Sequence, residues 1–239
     1  METVKRTLDI VKVKLEKLED PCNIVGMRSY DQFCAVARAL DLVGDRWTLL
    51  IVRELFLTDG ARYTDLQHGL PGIATNLLAE RLRQLEESGI VTREAAPPPI
   101  ATTLFRLTAR GRELRPVLQA LGMWGRPLLD DTPKGAAFRS HWLALPLESL
   151  LTDHAPESPP VTIAVHTGDR PITVSVDQEV RVRTGVSPGP DATITGTPDL
   201  VVGLFTGEFD LNTAVSRGLE FEGDVNALRR VQPAASSRA

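Results

Sequence analysis

The stretch that most limits how this chain can fold runs from Tyr63 to Leu107. Two helical patterns lie on either side of Pro71-Gly72, and two short strand patterns follow around Pro97, Pro98 and Pro99. The second helical pattern, Thr75 to Ser88, repeats Leu77, Leu78, Leu82 and Leu85 at helical spacing and stops at Gly89. Helix, tight turn, helix and two-stranded ribbon form the layout of a winged helix-turn-helix, which sets its second helix in the major groove of DNA. An ordinary amphipathic helix has the same leucine spacing, so this pattern alone leaves both readings open.

The flanks extend the layout. Gln32 to Leu57 predicts one helix ending near Gly44 and a second capped by Asp45, with Trp47, Leu50, Ile51, Leu55 and Phe56 as a broad buried face. Thr64 is the expected cap of a helix over Asp65 to Leu70. Ile90 to Arg93 and Ala101 to Leu107 read as the strands of the wing, and Thr108 caps a long helix with Leu114, Val117, Leu118, Leu121 and Trp124 in a stripe. Such an exposed stripe calls for a partner.

Three ordered motifs, `FCAVARALDLVGDRWTLLIVREL`, `YTDLQHGLPGIATNLLAERLRQLEESGIV` and `LFRLTARGRELRPVL`, resemble the HxlR family of bacterial winged-helix transcription regulators across roughly residues 28 to 129. The resemblance implies a homodimer joined through the first and last helices of the domain. Each recognition helix would lie in a major groove of double-stranded DNA, with each wing beside the backbone. Two positions depart from the family pattern. Ala74 stands where Ser usually caps the recognition helix, so Thr75 must cap it or that end is weaker by ~1 kcal/mol. The wing keeps only Arg93 and Arg106, so few phosphate contacts are expected there.

Side-chain chemistry then selects candidate DNA-binding residues. Thr75, Asn76 and Arg81 are expected in the groove, because Asn can pair bidentately with adenine and Arg with guanine or phosphate. Arg62, Tyr63, Thr64 and Arg93 are expected to position the backbone, whereas Glu80 and Arg83 read equally as a solvated face. The net charge of −4 argues superficially against nucleic acid and has to be divided along the chain. Residues 28–130 carry 13 Arg against 12 acids, and residues 131–239 carry 9 basic against 14 acidic residues. The acidity belongs to the second half.

The first 26 residues hold four of the five lysines and a possible two-heptad seam of Val4, Leu8, Val11, Leu15 and Leu18. An oligomerising arm, an expression leader and an upstream start, with Met27 as the alternative, all fit this extension. No apolar run approaches the ~20 residues of a membrane span, and no secretory segment is present, so a cytoplasmic protein without membrane insertion is expected. Cys22 and Cys34 lack metal-ligand spacing. Regulators resembling this family include some that sense oxidants or electrophiles through a cysteine placed like Cys34. Arg38 one turn later would favour a thiolate, but the family's usual Cys-Pro is Cys34-Ala35 here, and a small buried hydrophobe is the plainer reading.

The second half alternates instead. After an expected connecting helix from Phe138 to Leu151 and the loop `HAPESPP`, apolar residues recur at every second position: Val161, Ile163, Val165; Ile172, Val174, Val176; Val180, Val182; Ala192, Ile194. This predicts an antiparallel sheet with one wet face. Helices start at Pro198, after Asp210 and after Asp224, and Leu219 and Phe221 supply a fifth strand. The stretches `DATITGTPDLVVGLFTG` and `SRGLEFEGDVNALRRV` resemble the sterol carrier protein type 2 fold. That resemblance implies an apolar cavity for a lipid or another hydrophobic small molecule, with Val174, Val182, Ile194, Leu200, Leu204, Phe205 and Phe221 as candidate ligand-binding residues. A filled core serving only as a spacer or dimerisation module is the alternative.

The expected class is therefore α+β: extension 1–26, winged helix domain 27–130, connecting helix and linker 131–160, sterol carrier-like domain 161–232 and a disordered tail 233–239. His68, His141, His154 and His166 are scattered, and the chain has no H-E-x-x-H, G-x-S-x-G, P-loop or G-x-G-x-x-G motif. Neither catalysis nor a metal or other cofactor is expected. The functional expectation is a dimeric DNA-binding regulator controlled by a hydrophobic effector. The alternatives are a lipid or acyl carrier module and a regulator sensing through Cys34.

Overall fold

The computed structural model describes residues 29–58, 60–96, 102–129, 131–133 and 135–233. The extension, Cys22, the proline-rich wing tip and residues 234–239 lie outside them. The chain divides into two compact units, the first holding Gly60–Glu113 and the residues up to Leu55, the second Phe56–Asp59 and Leu114 onward.

The first unit runs α1 (Ala35–Val43), α2 (Thr48–Phe56), α3 (Tyr63–Gly69), α4 (Thr75–Glu87), β1 (Val91–Ala95), β2 (Thr103–Leu107) and α5 (Ala109–Arg112). Asp45 does not cap α2 with its side chain. Its carbonyl accepts from the Thr48 N–H at 3.2 Å and Trp47 sits at φ 79°, a turn that leaves the Asp45 carboxylate free for another partner. The buried face of α2 is Thr48, Ile51, Val52, Glu54 and Leu55, whereas Leu50 is exposed. The α3 helix starts at Tyr63, ahead of the expected Thr64 cap, because the Asp65 carboxylate accepts from the Arg62 backbone N–H at 3.1 Å. Gly72 makes the turn to α4 at φ 89°.

Leu78, Leu82 and Leu85 of α4 are buried, as are Ile51, Leu66 and Leu70, each such side chain contributing ~1.5–3 kcal/mol by leaving water. The strands β1 and β2 pair antiparallel with Val91 opposite Leu107 and Arg93 opposite Phe105. Ala61 and Phe105 exchange both backbone hydrogen bonds, which ties the ribbon to the entry of α3. Thr108 accepts from the Gly111 N–H at 3.0 Å, yet the helix that it caps is short. Pro116 has no N–H for the carbonyl one turn back, so the expected long helix breaks and resumes as α6 (Arg115–Gly125) in the second unit.

The second unit continues with a 3-10 turn (Arg126–Leu129), a second one (Ser140–Leu143) leading into α7 (Ala144–Leu150), β3 (Leu151–Asp153), β4 (Val161–His166), β5 (Ile172–Asp177), β6 (Glu179–Thr184), β7 (Ala192–Thr195), α8 (Pro198–Thr206), α9 (Leu211–Ser216), β8 (Glu220–Gly223), α10 (Val225–Arg230) and β9 (Val231–Pro233). Five strands form one sheet in the order β6-β5-β4-β7-β8. Three of its pairs are antiparallel, but β4 and β7 run parallel, so the sheet is mixed. A second pair, β3 with β9, was not expected, and it takes in Pro233. The alternating residues Ile163, Val165, Ile172, Val174, Val176 and Ile194 are fully buried in one core with Leu147, Val201, Phe205 and Leu228. Asp210 and Asp224 cap α9 and α10 by accepting from the Thr213 and Asn226 N–H groups, each at 2.8 Å.

Candidate nucleic-acid interface

The first turn of α4 is held by α3. The Tyr63 hydroxyl donates to the Thr75 carbonyl at 2.6 Å, and the Gln67 amide donates to the Thr75 hydroxyl at 3.2 Å. Ala74 is the N-cap and makes no side-chain bond, so Thr75 does not take over capping; it is the residue by which α3 grips α4. Thr75 and Asn76 are both exposed on this turn, where backbone N–H groups lack helical partners and the helix dipole is positive.

Arg81 is placed differently. It lies three residues after buried Leu78 and four before buried Leu85, so it leaves α4 on the flank turned toward the body of the unit. There it is ion-paired with Asp45 and donates to Gln84 Oε1 at 2.5 Å, leaving 16% of its side chain exposed. The freed carboxylate of Asp45 thus meets the arginine that sequence reasoning expected in the groove. Arg83 points outward and pairs with Glu80 at 2.7 Å and with Glu87, forming an exposed ladder. These bonds pull the Glu80 carboxyl below its ordinary range, the hydrogen bond from Arg83 being the main cause.

Arg62, Tyr63, Thr64 and Arg93 come together. With Ala79, Leu82, Thr102, Thr103 and Phe105 they line an open groove of about 390 Å³ between α3, α4 and the ribbon. Arg93 Cζ lies 5.3 Å from the centroid of the Phe105 ring, and its Nη2 is 3.0 Å from Glu86. Arg106, the other wing arginine, is 3.0 Å from Glu94. The α2 helix approaches α3 closely at Gly69. A Cβ on Gly69 would lie 2.3 Å from Glu54 Oε2, and that buried carboxylate is held by Arg53 at 2.7 Å.

Cys34 is exposed rather than buried, and precedes α1 with its carbonyl accepting from the Arg38 N–H at 2.9 Å. The Arg38 guanidinium lies 3.8 Å from Asp41, a carboxylate that also accepts from Ser29 and from the Tyr30 N–H. In the second unit Val174, Val182, Ile194, Leu204 and Phe205 pack within one core, with Leu200 and Phe221 partly buried against it. Gly203 of α8 has the ring of Phe209 where its Cβ would be, 2.3 Å away, and Arg217 lies over that ring at 4.8 Å.

Sequence reasoning missed Gln67, Asp45 and Glu86, whose roles depend on partners in other elements. The placement of Arg81 was readable, since it shares a helical face with Leu78 and Leu85. Among the described residues no cluster of His, Cys, Asp or Glu could hold a metal ion, and no helix is long and apolar enough to cross a membrane.

Comparison with known proteins adds the family. The HxlR-like helix-turn-helix family matches residues 42–133, and the SCP-2 sterol transfer family matches residues 159–236. An HTH-type transcriptional regulator of Synechocystis sp. is 40% identical over 113 residues, 47% of this chain and 78% of that protein. The HTH-type transcriptional regulator YvaP of Bacillus subtilis is 32% identical over 95 residues, 40% of this chain and 87% of that protein. The solved structure of the reduced form of the regulator YodB from B. subtilis is 29% identical with a TM-score of 0.37, covering 43% of this chain and 100% of that one. With the two family matches and the sequence relatives beside the helix-turn-helix and its ribbon, the chain belongs to the HxlR-like helix-turn-helix family of transcriptional regulators and carries a C-terminal domain of the SCP-2 sterol transfer family.

Proposed function

We propose that the protein is a dimeric transcription regulator that reads double-stranded DNA through the first turn of α4 and takes a hydrophobic small molecule in its second unit. The observation that carries the DNA reading is the exposed first turn of α4, Thr75 and Asn76, tied by the Tyr63 hydroxyl to a groove lined by Arg62, Tyr63, Thr64 and Arg93. Asn76 reads a base edge and the groove residues seat the backbone, while Arg81 fixes α4 from behind. A homodimer is supported by two apolar faces left exposed in the single chain, Phe33, Val36 and Leu40 at α1 and Val117, Leu121 and Trp124 on α6. Its two-fold symmetry requires palindromic half-sites about one turn, ~10 bp, apart.

The test is footprinting on a duplex selected from a random pool by the full chain. Asn76→Ala should weaken specific binding by ~10- to 100-fold, the weight of one good base contact, with the urea midpoint unchanged. An unaltered footprint overturns the assignment. For the effector, mass spectrometry of natively purified protein should find a bound hydrophobic molecule that changes affinity for the duplex. Carriage or transfer of that molecule with no effect on DNA binding would favour a carrier module instead.

A further inference from the structure

Glu148 of α7 joins three elements of the second unit. Its Oε1 accepts from the Val182 backbone N–H of β6 at 2.8 Å, and its Oε2 lies 2.8 Å from Arg115 Nη2, at the first residue of α6. Only 6% of the Glu148 side chain is exposed. Arg115 in turn lies over the Phe56 ring, with Cζ 5.7 Å from its centroid, and Phe56 is the residue with which α2 enters this unit. The next residue, Leu57, packs on the same core that holds the Val182 side chain. The path thus runs from an edge strand of the core, through one buried carboxylate, to the start of α6 and the end of α2.

Two features make this more than a structural brace. Glu148 Oε2 is fully buried and is held by the 2.8 Å ion pair to Arg115, so a shift of the carboxylate must carry the guanidinium with it or leave a buried charge without its partner. The other oxygen is fixed to the backbone of β6, and Val182 is one of the core residues a hydrophobic occupant would press against.

We propose that Glu148 is the coupling residue of the protein: displacement of β6 by an occupant of the core shifts Glu148, which re-seats Arg115 and so resets α6 and the end of α2. This rests on the reading that the second unit takes a hydrophobic ligand. Coupling requires that the occupant favour one of two arrangements, and a relay through a single ion pair supplies that difference.

The experiment uses the full chain and has one arm without ligand. Deuterium exchange of the α6 amides is followed when the sheet is loosened at a distance by Ile194→Val, in the parent and in Glu148→Gln. The relay requires exchange in α6 to quicken about fivefold in the parent, a size set by the usual cost of Ile→Val, and by less than about twofold in Glu148→Gln. Equal quickening in both backgrounds overturns it. A simple loss of stability in Glu148→Gln would raise exchange but would not remove the response to Ile194→Val. If Glu148→Gln fails to fold, Arg115→Lys takes its place, since Lys lacks the planar fork and stacks poorly on Phe56.

The second arm uses cis-parinaric acid as the probe. Glu148→Gln should bind it as the parent does but lose the parent's probe-dependent change in affinity for the selected duplex. A variant that keeps that change overturns the relay. If the parent fails to bind the probe, the lipid-ligand reading fails for this class, and the exchange arm still decides the relay by itself.

Discussion

The DNA-reading side of the first unit and the core edge of the second differ in where their ion pairs lie. In the first, arginines meet acids at the surface: Arg83 with Glu80 and Glu87, Arg93 with Glu86, Arg106 with Glu94. In the second, Asp153 and Arg230 form a pair with both side chains nearly sealed from water, at 2.7 and 2.8 Å. Asp153 also accepts from the Ala155 and Gln178 N–H groups, and Arg230 donates to the Pro159 carbonyl. The buried pair therefore clasps β3 and the end of α10 to the turn between β5 and β6. Surface pairs contribute little to stability but lower the positive field available to DNA, whereas the buried clasp supports folding and offers nothing to a partner.

The contrast is broken most directly by cutting the clasp. Arg230→Met leaves the Asp153 carboxylate buried without its counter-charge, and should cost ~3–5 kcal/mol in urea unfolding of the full chain. Arg83→Ala, which removes two exposed pairs, should change stability by no more than ~0.5 kcal/mol. Next in size is Gly69→Ala, whose Cβ would collide with the Glu54 carboxylate; overpacking of this kind costs ~1–3 kcal/mol, read from the same unfolding curves.

Acid sharpens the comparison. The hydrogen bonds from Arg230 hold the Asp153 carboxyl at about 2, below its ordinary 3.8. A carboxyl with a depressed folded value stabilises fully above its unfolded value and loses that contribution as pH falls through the folded one. Stability measured by thermal melts should thus decline between pH 4 and about 2, and Asp153→Asn should flatten that segment.

A smaller effect than that of the clasp is expected where α3 grips α4. Tyr63→Phe removes the 2.6 Å bond to Thr75, worth ~0.5–1.5 kcal/mol, and should appear mainly as weaker binding to the selected duplex. With so many arginines paired to acids, the plot of log affinity against log salt should be shallow, near −0.9 for each phosphate contacted and few of them. A slope as steep as ~−10 would show that the surface pairs open on binding.

How far the sequence could be read depended on the kind of signal. Alternation placed β4 to β7 because Ile163, Val174 and Ile194 must leave water, and Asp210 and Asp224 marked helix starts by their capping chemistry. Alternation is blind to direction, so the parallel pairing of β4 with β7 was not legible. Three-residue strands such as β3 and β9 have no period to detect. In the candidate interface the groove residues were legible by type. Their burdens were not: Tyr63 serves Thr75, and Arg81 answers a carboxylate 36 positions earlier.

Phe56–Asp59 belong to the second unit although they lie between residues of the first. The polypeptide therefore crosses from one unit to the other three times, not once. A second domain merely appended could be trimmed away by stopping the gene after Glu113; here such a cut would leave Phe56 without Arg115 and Leu57 without the core it packs on. The fusion is stitched, so a truncated regulator would carry loose apolar thread, and the two units would have to evolve under one fabric.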